Sequence, residues 1–124
     1  MSGSDSGAVR NFAAIVARTP LAGFPLVNGT PNIITWTSPN DGNLHSVIVS
    51  GIAIVASAAT GGAVVMRYTT NGVAQAQAFT AANLAANQSG SVVFSCDPNT
   101  TAHLDQQTAL TVGAVTIFAT MLGL

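Results

Sequence analysis

From Asn32 onward, apolar and polar positions fall into short runs rich in β-branched residues and separated by turn residues. The pattern predicts strands over 32–37, 44–57, 63–70, 73–79, 91–96, 101–107 and 109–121. Ser38-Pro39-Asn40-Asp41-Gly42, Thr60-Gly61-Gly62, Asn71-Gly72 and Asp97-Pro98-Asn99 separate them. Asn71-Gly72 is the firmest of these signals, because both residues tolerate the positive φ of a type I′ hairpin turn. Gly61-Gly62 is expected to serve a second reversal, and Asp97-Pro98 to start a third. The stretch TAANLAANQ, 80–88, breaks the texture and reads as one helical turn or a loop. Seven or eight short strands with regular turns predict an all-β sandwich or barrel.

Residues 1–31 have a different texture. Pro20, Pro25 and Pro31 punctuate them, and LAGFPLVNGTP reads as extended backbone. This segment is expected to form an extended N-terminal arm ahead of a β domain over 32–124. Val9, Phe12, Ala13 and Val16 recur at helical spacing, which marks 8–17 as a candidate short helix within the arm. Phe12, Ile15, Phe24 and Leu26 are costly to leave in water, so the arm is expected to dock.

Two strands depart from the alternation of a sheet that is wet on one face. Between 47 and 56 both faces are apolar or small. In the last strand Leu110, Val112, Ala114 and Phe118 fall on one face, and Val115, Ile117 and Met121 on the other. Composition sharpens the point. Charged residues are 6% of the 124 residues, with three arginines, four aspartates and no lysine or glutamate. A compact monomer of this size exposes roughly 6,100 Å², which leaves about one charge per 900 Å². A run of about 13 apolar residues at 47–59 is too short for a membrane helix, which takes ~20. The expected cover for these strands is a neighbouring subunit.

Candidate chemistry is sparse. Three scattered arginines at a net charge of −1 cannot build the basic face that nucleic acid requires. The single Cys96 forms no internal disulfide and offers no zinc spacing, which fits assembly in a reducing cytoplasm. The N-terminal stretch is acidic, serine-rich and interrupted by Arg10 and Arg18, unlike a secretory signal. Asp41 and His45 flank one turn, and His103 and Asp105 share a strand face. A metal site can in principle be built from two histidines and an aspartate, but the expected roles are turn-shaping for Asp41 and exposure or core hydrogen bonding for the histidines. Cys96 beside Asp97 has no positive field to activate a thiolate. No Gly-x-Ser-x-Gly elbow or phosphate-loop lysine occurs. No catalytic, cofactor or metal site is expected, and the chain does not read as an enzyme.

The turn-and-strand sequence carries a resemblance. TSPNDG (37–42), TGGAVVMRYTTNG (60–72), QSGSVVF (88–94) and LTVGAVTIFATML (110–122) resemble, in that order, a group of small phage virion domains. Those domains are similar to the trimeric jelly roll of the tumour necrosis factor and complement-type superfamily. The resemblance spans about residues 35–123. It departs from the family pattern at Asn43-Leu44-His45, where relatives carry an aromatic, and at the purely apolar end. It implies an antiparallel jelly-roll sandwich forming a homotrimer around a threefold axis.

The implied function is capsid decoration (cement) at threefold or quasi-threefold positions of a tailed phage, with the major capsid protein as partner. The implied location is the capsid surface of the virion, after synthesis in the host cytoplasm. The alternative is a receptor- or glycan-binding module of a tail fibre or tip. On the first reading Arg10, Phe12, Ile15, Arg18, Phe24 and Leu26 are the candidate shell contacts of the arm. Trp36, Ile48, Ile52, Val115, Ile117 and Phe118 are candidates for core or trimer interface, undivided between the two.

Overall fold

A computed structural model describes residues 14–26, 32–55, 60–81, 83–85, 87–106, 110–112 and 114–124. Every described element is a strand. They are β1 (Ala14–Arg18), β2 (Phe24–Leu26), β3 (Ile34–Thr37), β4 (His45–Val55), β5 (Thr60–Gly61), β6 (Val64–Thr70), β7 (Val73–Ala78), β8 (Gln88–Cys96), β9 (Thr101–Gln106), β10 (Leu110–Val112) and β11 (Val115–Gly123). All pair antiparallel. One sheet has the order β1-β11-β4-β8, with β2 also on β11. A second has the order β3-β9-β6-β7, and β10 pairs with β5 in a short ribbon.

The two sheets form a β-sandwich around one core. In β11 the inward residues Val115, Ile117, Ala119 and Met121 alternate with Thr116, Phe118, Thr120 and Leu122 outward. Val47, Val49 and Ala53 of β4 and Val92, Phe94 and Cys96 of β8 complete the inward side of the first sheet. Val64, Met66 and Tyr68 of β6, with Ala102 and Leu104 of β9, face them from the second. Tyr68 stacks on Phe94 across the core, ring centroids 4.5 Å apart. Trp36 packs partly buried against the core, its ring edge-on to His45 at 6.2 Å between centroids. Phe79 enters beside β8. A Cβ on Gly90 would stand 2.2 Å from the Phe79 carbonyl oxygen, so only glycine allows that approach.

The turns behave in two ways. Asn71 (φ 51°) and Gly72 (φ 76°) take the left-handed conformations of a type I′ hairpin and join β6 to β7. Asp97 pins this turn, accepting from the Asn71 and Gly72 N–H groups at 2.7 and 2.8 Å. Gly62 (φ 74°) does not close a hairpin. It lies where the chain leaves β4 in one sheet for β6 in the other. Asp97-Pro98 likewise carries the chain between sheets, from β8 to β9. Between 80 and 88 the described residues form a loop, with Asn83 bridged to Gly62.

The structure corrects the N-terminal reading. Residues 14–17 of the candidate helix over 8–17 lie in β1, which runs along β11; residues 8–13 lie outside the described residues. An unpaired edge of β11 offers a ladder of backbone partners, and β-branched Ile15 and Val16 favour the strand. β2 then pairs Phe24, Pro25 and Leu26 with Ile117, Thr116 and Val115. The described part of the arm thus belongs to its own sandwich. Leu26 is a core residue, 5% exposed, and Phe24 packs against the core. Leu26 is therefore not free to contact a shell, while Phe24 keeps part of its surface exposed. The last predicted strand also divides, because β10 pairs with β5 while β11 pairs with β4.

Candidate assembly surface

The outward face of the first sheet is ordered in cross-strand rows by two unshifted ladders. β11 pairs with β4 from Val115↔Val55 to Gly123↔Val47, and β4 with β8 from His45↔Cys96 to Ala53↔Gln88. One row runs Ile15, Leu122, Ile48, Val93 across all four strands. The next is Arg18, Thr120, Ser50, Ser91, and the third is Phe118, Ile52, Ser89. A fourth holds Pro25, Thr116 and Ile54. One row is thus wholly apolar, the next carries hydroxyls and Arg18, and the remaining two mix apolar residues with one hydroxyl each. Val93 is 62% exposed, Ile15 58% and Ile54 43%, while Ile48, Ile52, Phe118 and Leu122 are half-buried.

Charge is segregated from this face. Among the described residues Arg18 is its sole charged side chain. Asp41 sits in the β3–β4 turn and Asp97 in the β8–β9 turn. Arg67 and Asp105 lie on the second sheet, where the Arg67 Nε is 3.3 Å from one Asp105 carboxylate oxygen. The other oxygen is 2.8 Å from His103 Nδ1 and accepts from the Asn32 N–H, also at 2.8 Å. Thr35 flanks His103, and Thr37 and Thr101 share a hydrogen bond at 3.0 Å. The second sheet thus turns a polar, ion-paired face to water. The first turns out aliphatic and aromatic side chains interleaved with serines and threonines.

The sequence-predicted residues divide accordingly. Val115 (3% exposed) and Ile117 (0%) are core. Ile48, Ile52 and Phe118 are on the outward face, with Ile15 and Arg18 at its β1 edge. Trp36 caps the core beside His45. Arg10 and Phe12 lie outside the described residues. Sequence reasoning missed Leu122, Val93 and Ile54 as members of the same face. Their signal was parity, since each stands an even number of residues from an outward serine or threonine.

The titratable groups occupy separate places. Asp41 accepts from the Asn43 N–H at 3.0 Å and lies 2.9 Å from His45 Nε2. The Asn43 backbone bond first, and the His45 contact second, hold its carboxyl below the ordinary value. His103 and Asp105 form their own pair on the second sheet. Among the described residues no three His, Cys, Asp or Glu side chains converge as a metal site, and no helix is long and apolar enough to cross a membrane. Cys96 is fully buried, and burial pushes its thiol up despite hydrogen bonds from Ser38 and Thr100. Iodoacetamide at neutral pH is therefore expected to leave Cys96 unmodified in the native protein and to alkylate it fully in denaturant, as read by mass spectrometry. Rapid native labelling would place the thiol at the surface.

No family model matches this chain, and neither the curated proteins nor the solved structures contain a match.

Proposed function

We propose that the chain is a structural virion protein of a tailed phage: a homotrimeric decoration (cement) protein that binds the major capsid protein at threefold or quasi-threefold positions. The observation that carries this reading is the outward face of the first sheet. One of its rows is apolar across all four strands, the others carry hydroxyls, two of them mixed with apolar residues, and its one described charge is Arg18, whereas the opposite face of the sandwich carries the Arg67–Asp105 ion pair. Three copies can close on such a face without burying an unpaired charge, since its one described cation lies at the β1 edge. Its work is adhesion rather than catalysis.

Strand order supports the jelly-roll form of that reading. The chain changes sheet between β2 and β3, β3 and β4, β4 and β6, β7 and β8, β8 and β9, and β9 and β11. Repeated crossing of this kind builds the paired Greek keys of a double-sheet jelly roll. The tail-tip alternative needs exposed aromatics clustered at one end. Tyr68 is buried in the core and Trp36 is half-buried against His45, so the described residues do not favour it.

Light scattering on the purified protein is the first test. The expected mass is three times 12.4 kDa, about 37 kDa; a stable monomer would overturn the reading. Co-sedimentation with undecorated capsids, and immunogold labelling over heads rather than tail ends, test the location.

A further inference from the structure

We infer that Asn71 is a deamidation site of this chain and that the Asp97 carboxylate keeps it unmodified in the folded protein. The inference stands apart from the decoration reading. Asn71-Gly72 has what spontaneous deamidation needs, a side-chain amide followed by a residue with no side chain over its nitrogen. The Gly72 nitrogen, once hydroxide has taken its proton, adds to the Asn71 side-chain carbonyl carbon. That new carbon–nitrogen bond closes a succinimide ring. The bond to the side-chain nitrogen breaks, and ammonia leaves with a proton from water. Water then opens the ring at either carbonyl, giving aspartate or isoaspartate. The change is a hydrolysis, so water and hydroxide are its only co-reactants.

The site is open to solvent. Asn71 and Gly72 are both exposed at the tip of the β6–β7 hairpin, and a Cβ built on Gly72 meets nothing within 4 Å. Bulk therefore does not protect this amide. Its hold is the Asp97 carboxylate, which accepts from the Gly72 N–H at 2.8 Å with one oxygen and from the Asn71 N–H at 2.7 Å with the other. Closing the ring means breaking a charge-assisted hydrogen bond. It also means creating an amide anion against a carboxylate, which a like charge disfavours. Asp97 cannot easily step aside. Its own N–H donates to the Thr69 carbonyl at 2.9 Å. Its carbonyl accepts from the Ser38 hydroxyl at 2.6 Å and the Thr100 hydroxyl at 2.8 Å. The β8–β9 crossing thus fixes a carboxylate over a hairpin tip 26 residues away in the chain. Reaction would undo that tip. Aspartate at 71 sets a second carboxylate beside Asp97, and isoaspartate adds a backbone carbon to a turn whose geometry the hairpin requires.

The test is mass-spectrometric peptide mapping of the full chain during incubation at mildly alkaline pH, native and in urea. In urea Asn71 should convert at a rate similar to that of Asn28-Gly29, the second such pair in the sequence. In the native protein Asn71 should convert about tenfold or more slowly, the factor one hydrogen bond to a charged group supports. The Asp97→Asn variant should lose most of that protection when native and keep the wild-type rate in urea. Hydrogen exchange passes through the same amide anion and needs no substitution. The Gly72 N–H of the ¹⁵N-labelled wild-type protein should therefore exchange about tenfold or more slowly than in the unfolded chain. Conversion of Asn71 as fast in the native protein as in urea overturns the proposal, and so does an unprotected Gly72 N–H. A folded Asp97→Asn variant that deamidates no faster than the wild type assigns the protection to another group. One that deamidates more slowly makes Asp97 a general base for the reaction. Either result also overturns the proposal.

Discussion

Replacing Ile117 with aspartate is expected to leave no folded protein. Ile117 is fully buried at the centre of β11, paired with Ala53 of β4 on one side and Phe24 of β2 on the other. Losing the buried side chain forfeits about 2–3 kcal/mol. The carboxylate that replaces it has no cation within the core, and breaking solvation without a partner costs several kcal/mol more. A domain of this size has a total stability of roughly 5–15 kcal/mol, so the sum is comparable with everything that holds it together. The soluble yield should collapse, and any recovered protein should lack the β-sheet circular dichroism of the wild type. A conservative Ile117→Val change should fold, with a loss of about 1 kcal/mol. A well-folded Ile117→Asp protein would show that β11 presents its other face to the core.

The pairing of β11 also alters what removal of the N-terminal segment does. Truncation before Asn32 would strip β1 and β2 from β11, expose its edge and take Leu26 out of the core. The cost is structural before it touches any partner.

How much of this could be read from the sequence depends on whether the deciding contact was local. β6 and β7 were legible because Asn71-Gly72 carries its own geometry. The extents of β3, β4 and β9 followed from their turns in the same way. β1 was not legible, since its partner stands about a hundred residues away, as the Thr19–Ala119 bonds show. Val9, Phe12, Ala13 and Val16 fit a helical period, and only the open edge of β11 decides against it over 14–17. Gly62 was recognised as a bend, but whether a bend closes a hairpin or crosses between sheets is a tertiary matter.

The candidate surface was half legible. Both parities of β4 are apolar, so alternation alone could not say whether Ile48 or Val49 faces the core. Ser46 and Ser50 share the parity of Ile48, Ile52 and Ile54, and hydroxyls are the cheaper groups to leave wet. That small bias agrees with the structure, in which Val47 and Val49 are fully buried. The apolar row from Ile15 to Val93 could not be assembled without the registers of three strand pairs.

Ile48→Asp should have an effect unlike that of Ile117→Asp, although the two residues lie on neighbouring strands of one sheet. Ile48 is half-buried on the outward face, between Leu122 and Val93 in the apolar row. In a single copy its carboxylate reaches water, so the fold should survive with near-native circular dichroism. In a trimer closed on this face, each copy buries one carboxylate without a partner. At about 3–5 kcal/mol for such a group, dissociation should be favoured more than a hundredfold. Light scattering should then report a mass near 12.4 kDa for the variant. Thr101→Asp is the matched control, because Thr101 is exposed on the second sheet, and it should leave the mass near that of the wild type. If Ile48→Asp stays trimeric and Thr101→Asp dissociates, the copies meet through the polar face. The apolar rows would then need another occupant, and the shell itself would be the first candidate.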